Sequence, residues 1–357
     1  SPANNDLLEF GSTGESSRRL IVIDRNICQY YLNNVVEYFE YHKINYRILP
    51  LEIDEENKDI DSLITLLKEM EQFGILRRDE PLIAIGGGVL LDIAGMAASM
   101  YRRGIPYIRV PTTLVGLIDA SIGIKTGINF ENRRNRLGAY FPPIASYLDK
   151  SFLGTLNELE ISSGLGEILK MGVILDYQLF VMLENHSKEL LESKFLESDV
   201  ADEVINRSVQ GMKDELEDNL WEIDLKRIVD FGHSFSPIIE MRSIHDNKSS
   251  PLTHGQAVTL DVIISSIISN QRGMLSYQDL LRIVKTAKNM MLPTYHELFT
   301  QPSVILEALK DTMKHRNGNQ NLPIPQKIGE PVFINDLTYD EIIEATQTLS
   351  RVNVELA

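Results

Sequence analysis

Short apolar runs alternate with segments of helical periodicity over the first 150 residues of the chain. The first two runs are followed by helical patterns, at residues 30–42 and 60–74, and a third helical pattern ends at Met100. Apolar strands separated by helices form βαβ units, in which the strands are parallel and buried on both faces. The alternation therefore predicts an α/β domain with a doubly wound parallel sheet, whose strands we place at 19–24, 45–51, 81–87 and 107–113.

The pattern changes after about Phe152, where long segments with helical spacing dominate and the best strand-like run is 331–336. This change predicts a second, mostly α-helical domain, and a site is expected in the crevice between the two domains. We divide the chain into a flexible polar N-terminal segment at 1–18, the α/β domain at 19–150 and the helical domain at 151–357. The helical segments are 158–184, 188–214, 225–243, 254–273, 277–290 and 303–314.

The charge balance limits the partners that the chain can take. The formal net charge is −16, so the chain as a whole repels nucleic-acid backbones, and an anionic substrate would need a local basic pocket. Cys28 is the single cysteine, which is typical of a reducing cytoplasm. No apolar run reaches the roughly 18 residues of a membrane-spanning helix, and the first residues lack the pattern of a secretory signal.

A glycine-rich turn follows the third predicted strand, in the stretch AIGGGVLLDIAG at 84–95. Gly86, Gly87 and Gly88 would let the backbone approach a pyrophosphate at the start of the next helix. The same glycines also suit a simple tight turn between a strand and a helix. Asp92, early in that helix, is explained equally well by the helix dipole.

A second constellation follows the strand at 107–113. Asp119 and Lys125 lie among small and apolar residues, where a lysine requires a partner. Arg133, Arg134 and Arg136 follow closely, and in so acidic a chain this cluster, with Arg102 and Arg103, is either an anion site or a solvated basic patch.

Three residues of the second domain form a candidate metal set. Glu167 and Lys170 share one face of an apolar helix, and His233 and His254 each lie beside a glycine. Two histidines and one carboxylate suit Zn²⁺ with positions left open for water or substrate oxygens. Each histidine could equally be a hydrogen-bonded core residue. The other five histidines lie mostly in polar surroundings.

Taken together and in this order, several motifs resemble those of the sugar phosphate cyclases, the 3-dehydroquinate synthase-like enzymes. They are GGGVLLDIAG, YRRGIPYIRVPTTLVGLIDASIGIKTGIN, GEILK, GHSFSP and HGQAV, and the resemblance runs from about Ile21 to Leu337. It implies a Rossmann-like N-terminal domain with a helical C-terminal domain, NAD⁺, a divalent metal (Zn or Co) and a homodimer. The family reaction is a closed redox cycle with β-elimination of phosphate and an aldol ring closure.

The resemblance also assigns roles to residues, motif by motif. It implies metal ligands at Glu167, His233 and His254, and catalytic residues at Asp119, Lys125, Lys170, Asp230 and Lys314. Positions that would contact substrate are Arg103, Arg134, Asn135, Lys226, Met212 and Pro237, with Arg103 reaching the substrate phosphate. Positions that would hold NAD⁺ are Asp24, Glu55, Lys58, Gly86, Gly87, Gly88, Asp92, Thr112, Thr113, Leu114, Thr155, Leu156 and Glu160.

Departures from the dehydroquinate synthase pattern narrow the substrate. Pro237 replaces a second histidine, Asp230 replaces an asparagine and Met212 replaces a lysine. Losing a cation and adding an anion disfavours a substrate that carries a carboxylate. The chain most resembles the 2-epi-5-epi-valiolone synthases, which act on sedoheptulose 7-phosphate.

Several alternatives stay open at this point. They are, in order, a 2-epi-valiolone or desmethyl-4-deoxygadusol synthase, 3-dehydroquinate synthase, an NAD- and metal-dependent polyol dehydrogenase, and a non-catalytic homologue. Arg134 and Gln256 replace the usual lysine and glutamate of the family motifs, which leaves an altered specificity open as well.

Overall fold

A computed structural model describes residues 3–12, 17–246 and 249–355, with side chains described up to residue 351. Parts of the predicted N-terminal segment (residues 1–2 and 13–16) and of the helical domain (residues 247–248 and 356–357) lie outside the described residues. The chain divides into two compact units, Ser1–Thr155 and Leu156–Ala357.

The first unit is built on a parallel sheet. Its five strands pair in the order β2-β1-β3-β4-β7, and every pairing is parallel. The elements are β1 (Arg18–Asp24), α1 (Arg25–Tyr41), β2 (Asn45–Leu51), α2 (Ile60–Phe73), β3 (Leu82–Gly86), α3 (Gly88–Met100), β4 (Tyr107–Pro111) and β7 (Ala145–Ser146). This architecture confirms the predicted fold class.

Alternate residues of the central strands face two different cores. Leu20 and Val22 of β1 pack in one core with residues of α2 and α3, whereas Ile21 and Ile23 pack in the other with residues of α1. Successive side chains of a strand point to opposite faces, so a strand covered on both faces is apolar throughout. This is why the strands appear in the sequence as continuous apolar runs.

A hairpin that the apolar pattern does not predict follows β4. Its strands are β5 (Lys125–Phe130) and β6 (Arg133–Tyr140), and they pair antiparallel. Glu131 and Asn132 at the turn both have positive φ, 51° and 56°, as the turn of a tight hairpin requires. Between β4 and β5 the chain makes one turn of π-helix, Gly116–Ala120. The run 125–140 is rich in polar residues, which hides the strands from a search for apolar runs.

The second unit is mostly helical. Its elements are α4 (Glu158–Ile174), α5 (Tyr177–Ser193), α6 (Asp199–Glu217), α7 (Ser236–His245), α8 (His254–Gln271), α9 (Tyr277–Asn289), α10 (Pro302–His315), the antiparallel strands β8 (Leu322–Lys327) and β9 (Glu330–Ile334), and α11 (Tyr339–Glu355). No helix in the described ranges combines the length and the apolar content that a bilayer crossing requires.

The observed helix boundaries differ from the predicted ones at two N-caps and one loop. The side chain of Asp176 caps α5 and that of Ser198 caps α6, so the predicted segments 158–184 and 188–214 are each interrupted. The first half of the predicted segment 225–243 is a loop with one 3-10 turn at Ile228–Asp230, because Gly232 has φ +76° and α7 begins only at Ser236. Pro237 occupies the first turn of α7, where no helix hydrogen bond needs its missing N–H.

Helices α4 and α8 approach each other most closely at two glycines. A Cβ on Gly255 would lie 1.7 Å from the carbonyl oxygen of Ser163, and one on Gly166 would lie 2.3 Å from that of Gly255. The Gly255 N–H also donates to Ser163 Oγ at 3.1 Å. The glycines beside Glu167 and His254 therefore bring the two helix backbones together, and with them these two side chains.

We predict that Gly255→Ala lowers the free energy of unfolding by about 3 kcal/mol, because the new methyl meets backbone atoms that cannot move aside. Gly211→Ala on α6 is the control, since only the flexible end of Met171 lies near, at 3.3 Å. The control should change stability by no more than about 1 kcal/mol. Denaturant unfolding measures both, and equal stabilities would contradict the close approach.

Candidate metal centre and dinucleotide edge

Glu167, His233 and His254 come together in the second unit. Glu167 Oε1 lies 2.8 Å from His254 Nε2 and 3.5 Å from His233 Nε2. One ligand atom from each residue lies within 4.8 Å of the other two. Glu167 is buried in α4, His254 begins α8, and His233 lies in the loop before α7. Residues distant in sequence thus form one cluster.

The second nitrogen of each imidazole is already engaged. His254 Nδ1 lies 3.1 Å from Glu240 Oε2, and His233 Nδ1 lies 3.2 Å from the carbonyl oxygen of Phe231. A proton on each Nδ1 satisfies these acceptors and would leave each Nε2 lone pair available to a metal ion. The donor set of two imidazole nitrogens and one carboxylate oxygen fits Zn²⁺. The hydrogen bonds at each Nδ1 fix the orientation of the two imidazole rings.

Electrostatics favour the ligand forms of these residues. Burial alone would raise the pKa of Glu167, but Lys170, His233 and His254 together hold that pKa well below its usual range. Lys170 Nζ lies 2.8 Å from Glu167 Oε2, and both side chains are 2% exposed. Burial, followed by the charge of Lys170, lowers the pKa of His233 to about 3. The cluster therefore holds a carboxylate and a neutral imidazole.

The loop that carries His233 is fixed by α8. Asp261 Oδ2 accepts hydrogen bonds from the backbone N–H groups of Phe235 at 2.6 Å and Ser236 at 2.8 Å. These donors lie at the start of α7, where the helix itself offers them no acceptor. The His233 N–H donates to the Asp230 carbonyl at 3.0 Å. Asp261 was missed from the sequence, although one carboxylate within the apolar stretch 257–264 was a visible signal.

Asp230 is paired with two arginines. Its Oδ1 bonds to Arg227, and its Oδ2 lies 3.3 Å from Arg316. Arg227 also pairs with Glu222. The charge that Asp230 adds is therefore balanced by two arginines of the chain. Arg316 and Glu222 were not among the predicted site residues.

The other predicted site residues of this unit differ in exposure. Met212 is buried in α6, whereas Lys314 is exposed in the last turn of α10. Lys226 is exposed, and its ammonium lies 4.8 Å from the centre of the Phe333 ring. Leu156 is buried near the start of the unit, and Glu160 completes a capping box with Asn157 at the start of α4.

In the first unit, predicted cofactor residues lie at the carboxyl ends of adjacent parallel strands. Asp24 ends β1, Gly86 ends β3, and Thr112 follows β4 and donates its N–H to the Gly86 carbonyl at 3.0 Å. A Cβ on Gly87 would lie 3.1 Å from Thr113. Leu114 is buried beside them. This is the edge at which doubly wound sheets bind ligands, with the start of α3 facing it.

A buried lysine joins predicted cofactor and substrate positions. Lys58 Nζ lies 2.6 Å from Asp92 Oδ2 and 2.6 Å from Asn135 Oδ1, and its side chain is 1% exposed. Asn129, which was not among the predicted site residues, accepts the Asn135 N–H and donates to Glu55 Oε1. Arg134 Nε lies 3.5 Å from the same Glu55 oxygen.

The segment that carries Asp119 and Lys125 is held by a buried arginine that sequence reasoning missed. Arg109 on β4 donates to the carbonyls of Ala120 at 2.8 Å, Gly123 at 2.7 Å and Lys125 at 3.4 Å. Its guanidinium thus fixes the chain between the π-helical turn and β5.

Two further predicted residues of the first unit lie elsewhere. Arg103 lines a cavity of about 280 Å³ together with Arg78 and Phe141. Thr155 lies 3.1 Å from the hydroxyl of Tyr31.

The fold and the cluster define the class of protein. Residues 48–163 match the family model described as 3-dehydroquinate synthase N-terminal, and residues 164–316 match that of 3-dehydroquinate synthase C-terminal. The chain belongs to the 3-dehydroquinate synthase family, which confirms the predicted resemblance.

Within this family the chain is similar to particular synthases. A 2-epi-5-epi-valiolone synthase from an Actinomyces species is 45% identical over 98% of this chain and 92% of its own. A demethyl-4-deoxygadusol synthase from Trichormus variabilis is 33% identical over 92% of this chain and 80% of its own. The structure of ValA, a 2-epi-5-epi-valiolone synthase from Streptomyces hygroscopicus subsp. jinggangensis 5008 with NAD⁺ and Zn²⁺ bound, has a TM-score of 0.90 and 42% identity, covering 94% of this chain and 91% of that one.

We predict that Glu240→Gln weakens Zn²⁺ binding by about 10- to 100-fold, because an amide orients and polarises the His254 imidazole less than a carboxylate does. Competition with a chromogenic chelator measures the affinity. Glu189→Gln, at an exposed pair with His186, is the matched control and should bind Zn²⁺ as the unaltered protein does. Equal affinities for the two variants would contradict the role of Glu240.

A pH-dependent stability should follow from Asp261. Burial raises the pKa of this carboxyl from 3.8 to about 6, against the N–H groups of Phe235 and Ser236, which lower it. The folded chain thus holds this proton to higher pH than the unfolded chain does. The stability that Asp261 contributes is therefore lost as the pH rises from about 4 to about 6.

Asp261→Asn cannot ionise. From pH 4 to pH 7 its free energy of unfolding should therefore rise by about 1–3 kcal/mol relative to that of the unaltered protein. Denaturant unfolding at both pH values measures the difference. A difference in unfolding free energy between the two proteins that is the same at pH 4 and at pH 7 would contradict the raised pKa.

Proposed function

We propose that this protein is a 2-epi-5-epi-valiolone synthase, a carbocycle-forming lyase that converts sedoheptulose 7-phosphate with release of phosphate. The observation that carries the proposal is the Glu167, His233 and His254 cluster, oriented from behind by Glu240 and the Phe231 carbonyl. Similarity to synthases of this name over nearly the whole chain supports the same activity.

The two cofactors fit separate sets of residues. Glu167, His233 and His254 would hold Zn²⁺ or Co²⁺, and NAD⁺ would lie along Asp24, Gly86–Gly88 and Thr112–Leu114. The bound groups would supply a reversible hydride acceptor and a Lewis acid that polarises the oxidised oxygen.

The remaining predicted residues would bind and orient the substrate. Asp119 and Lys125 would contact its hydroxyls, on a segment that Arg109 holds by three carbonyls. Lys170 keeps Glu167 ionised and adds a donor beside the cluster. Arg103 and Arg134 would contact the phosphate, and the departing phosphate would itself accept the proton lost in the elimination.

Three positions favour a sugar without a carboxylate. Met212 presents a thioether where dehydroquinate synthases carry a lysine, and Pro237 replaces a histidine that could donate a hydrogen bond. Asp230 replaces a neutral asparagine. These residues support a seven-carbon sugar phosphate that carries no carboxylate. We also propose a homodimer in the cytoplasm, the compartment that the single Cys28 favours.

Incubation with sedoheptulose 7-phosphate, NAD⁺ and Zn²⁺ or Co²⁺ should release phosphate without net NADH, because the hydride returns to the substrate. NMR of the product should show 2-epi-5-epi-valiolone. Glu167→Ala should lose metal and turnover, whereas His245→Ala, an exposed histidine at the end of α7, should retain both.

The alternatives give other results in the same assay. Accumulating NADH would identify a polyol dehydrogenase, and an epimeric or gadusol-type product would identify another cyclase. No phosphate release, with neither NAD⁺ nor metal retained on purification, would contradict an enzymatic role.

A further inference from the structure

Four charged residues form a chain of ion pairs that includes Asp230, three residues before the proposed metal ligand His233. Arg227 bonds to both Glu222 and Asp230, and Arg316 reaches Asp230 at 3.3 Å. Two carboxylates thus face two guanidinium groups, and their formal charges cancel. The four side chains are between 5% and 16% exposed, so the ion pairs are largely shielded from water.

Further hydrogen bonds engage the second arginine. Arg316 NH1 donates to the carbonyl of Gln320 at 2.7 Å and to that of Asn321 at 3.2 Å. Burial lowers the pKa of Arg316, and the charge of Asp230 opposes that shift. Each guanidinium therefore faces protein acceptors on more than one side. A substrate carboxylate would have to displace one of them and leave a buried carboxylate without its cation.

The chain of ion pairs adjoins the cluster through the backbone. The carbonyl of Asp230 accepts the His233 N–H at 3.0 Å, so the side chain of Asp230 lies within three residues of a proposed metal ligand. Lys170 of α4 is paired with Glu167 at 2.8 Å. The arginines adjoining His233 thus face carboxylates of the chain itself.

We propose that Glu222 and Asp230 determine specificity by occupying Arg227 and Arg316, so that neither arginine receives a carboxylate from the substrate. The site then selects ketose phosphates with a neutral hydroxymethyl group at C1 over sugar-acid phosphates with a carboxylate at C1. This inference rests on the proposed function and adds how the substrate is chosen. The site discriminates between these two kinds of substrate because carboxylates of the chain already pair with its arginines.

The test compares two ligands that differ in charge at C1, sedoheptulose 7-phosphate and a 3-deoxy-heptulosonate 7-phosphate. Binding of each to the protein loaded with Zn²⁺ and NADH, which cannot accept the hydride that starts turnover, is measured by calorimetry for the unaltered chain, Glu222→Gln and Asp230→Asn. Each variant removes one carboxylate and leaves an arginine to be satisfied. Both should bind the carboxylate ligand at least about tenfold more tightly relative to sedoheptulose 7-phosphate than the unaltered protein does.

Glu184→Gln is the matched control. Arg282 pairs with Glu184 and Asp279 just as Arg227 pairs with Glu222 and Asp230, and Glu184 belongs to no proposed site. The control makes the same change in net charge, and its ratio of the two affinities should equal that of the unaltered protein. Circular dichroism verifies folding, and either folded site variant suffices for the comparison.

An unchanged ratio in the folded site variants, or an equal shift in Glu184→Gln, would overturn the inference. The proposed function fails by a different result, namely no turnover of sedoheptulose 7-phosphate by the unaltered protein. The two failures are therefore distinguishable, because one concerns the variants and the other concerns the unaltered chain.

Discussion

The ionised carboxylate of Glu167, buried between Lys170 and two histidines, is the interaction on which the helical unit depends. A charge in the protein interior is tolerated only where partners surround it. Lys170 supplies the opposite charge, and the imidazoles of His233 and His254 supply nitrogen atoms that a cation can bridge to the carboxylate. Two further contacts position these groups. Helices α4 and α8 pack closely at their glycines, and Asp261 hydrogen-bonds to the backbone at the start of α7.

Much of the fold could be predicted from the sequence because burial leaves a periodic pattern. The strands of the parallel sheet are apolar on both faces, and this gave the fold class of the first unit. The hairpin of β5 and β6 could not be found this way, because it is stabilised by a turn with positive φ and not by an apolar run. The break at Asp176 depends on one cap, which periodicity over a longer window does not detect.

The clustering of His233 and His254 with Glu167 was predictable because two histidines and one carboxylate suit Zn²⁺ and because the family motifs point to the same three residues. Their supporting residues were not, because Glu240, Asp261 and Arg109 act through contacts between distant segments. Asp230 shows the limit most clearly. Its identity was visible in the sequence, but its pairing with Arg316 depends on a loop and a helix end that only the fold brings together.

Anomalous diffraction at the zinc edge, from crystals grown with Zn²⁺ and NAD⁺, tests the central claim most directly. The account predicts one strong peak bounded by a carboxylate oxygen of Glu167 and the Nε2 atoms of His233 and His254. Glu240 should lie behind His254 without touching the metal. A peak coordinated by other residues, or none at these three, would contradict the account.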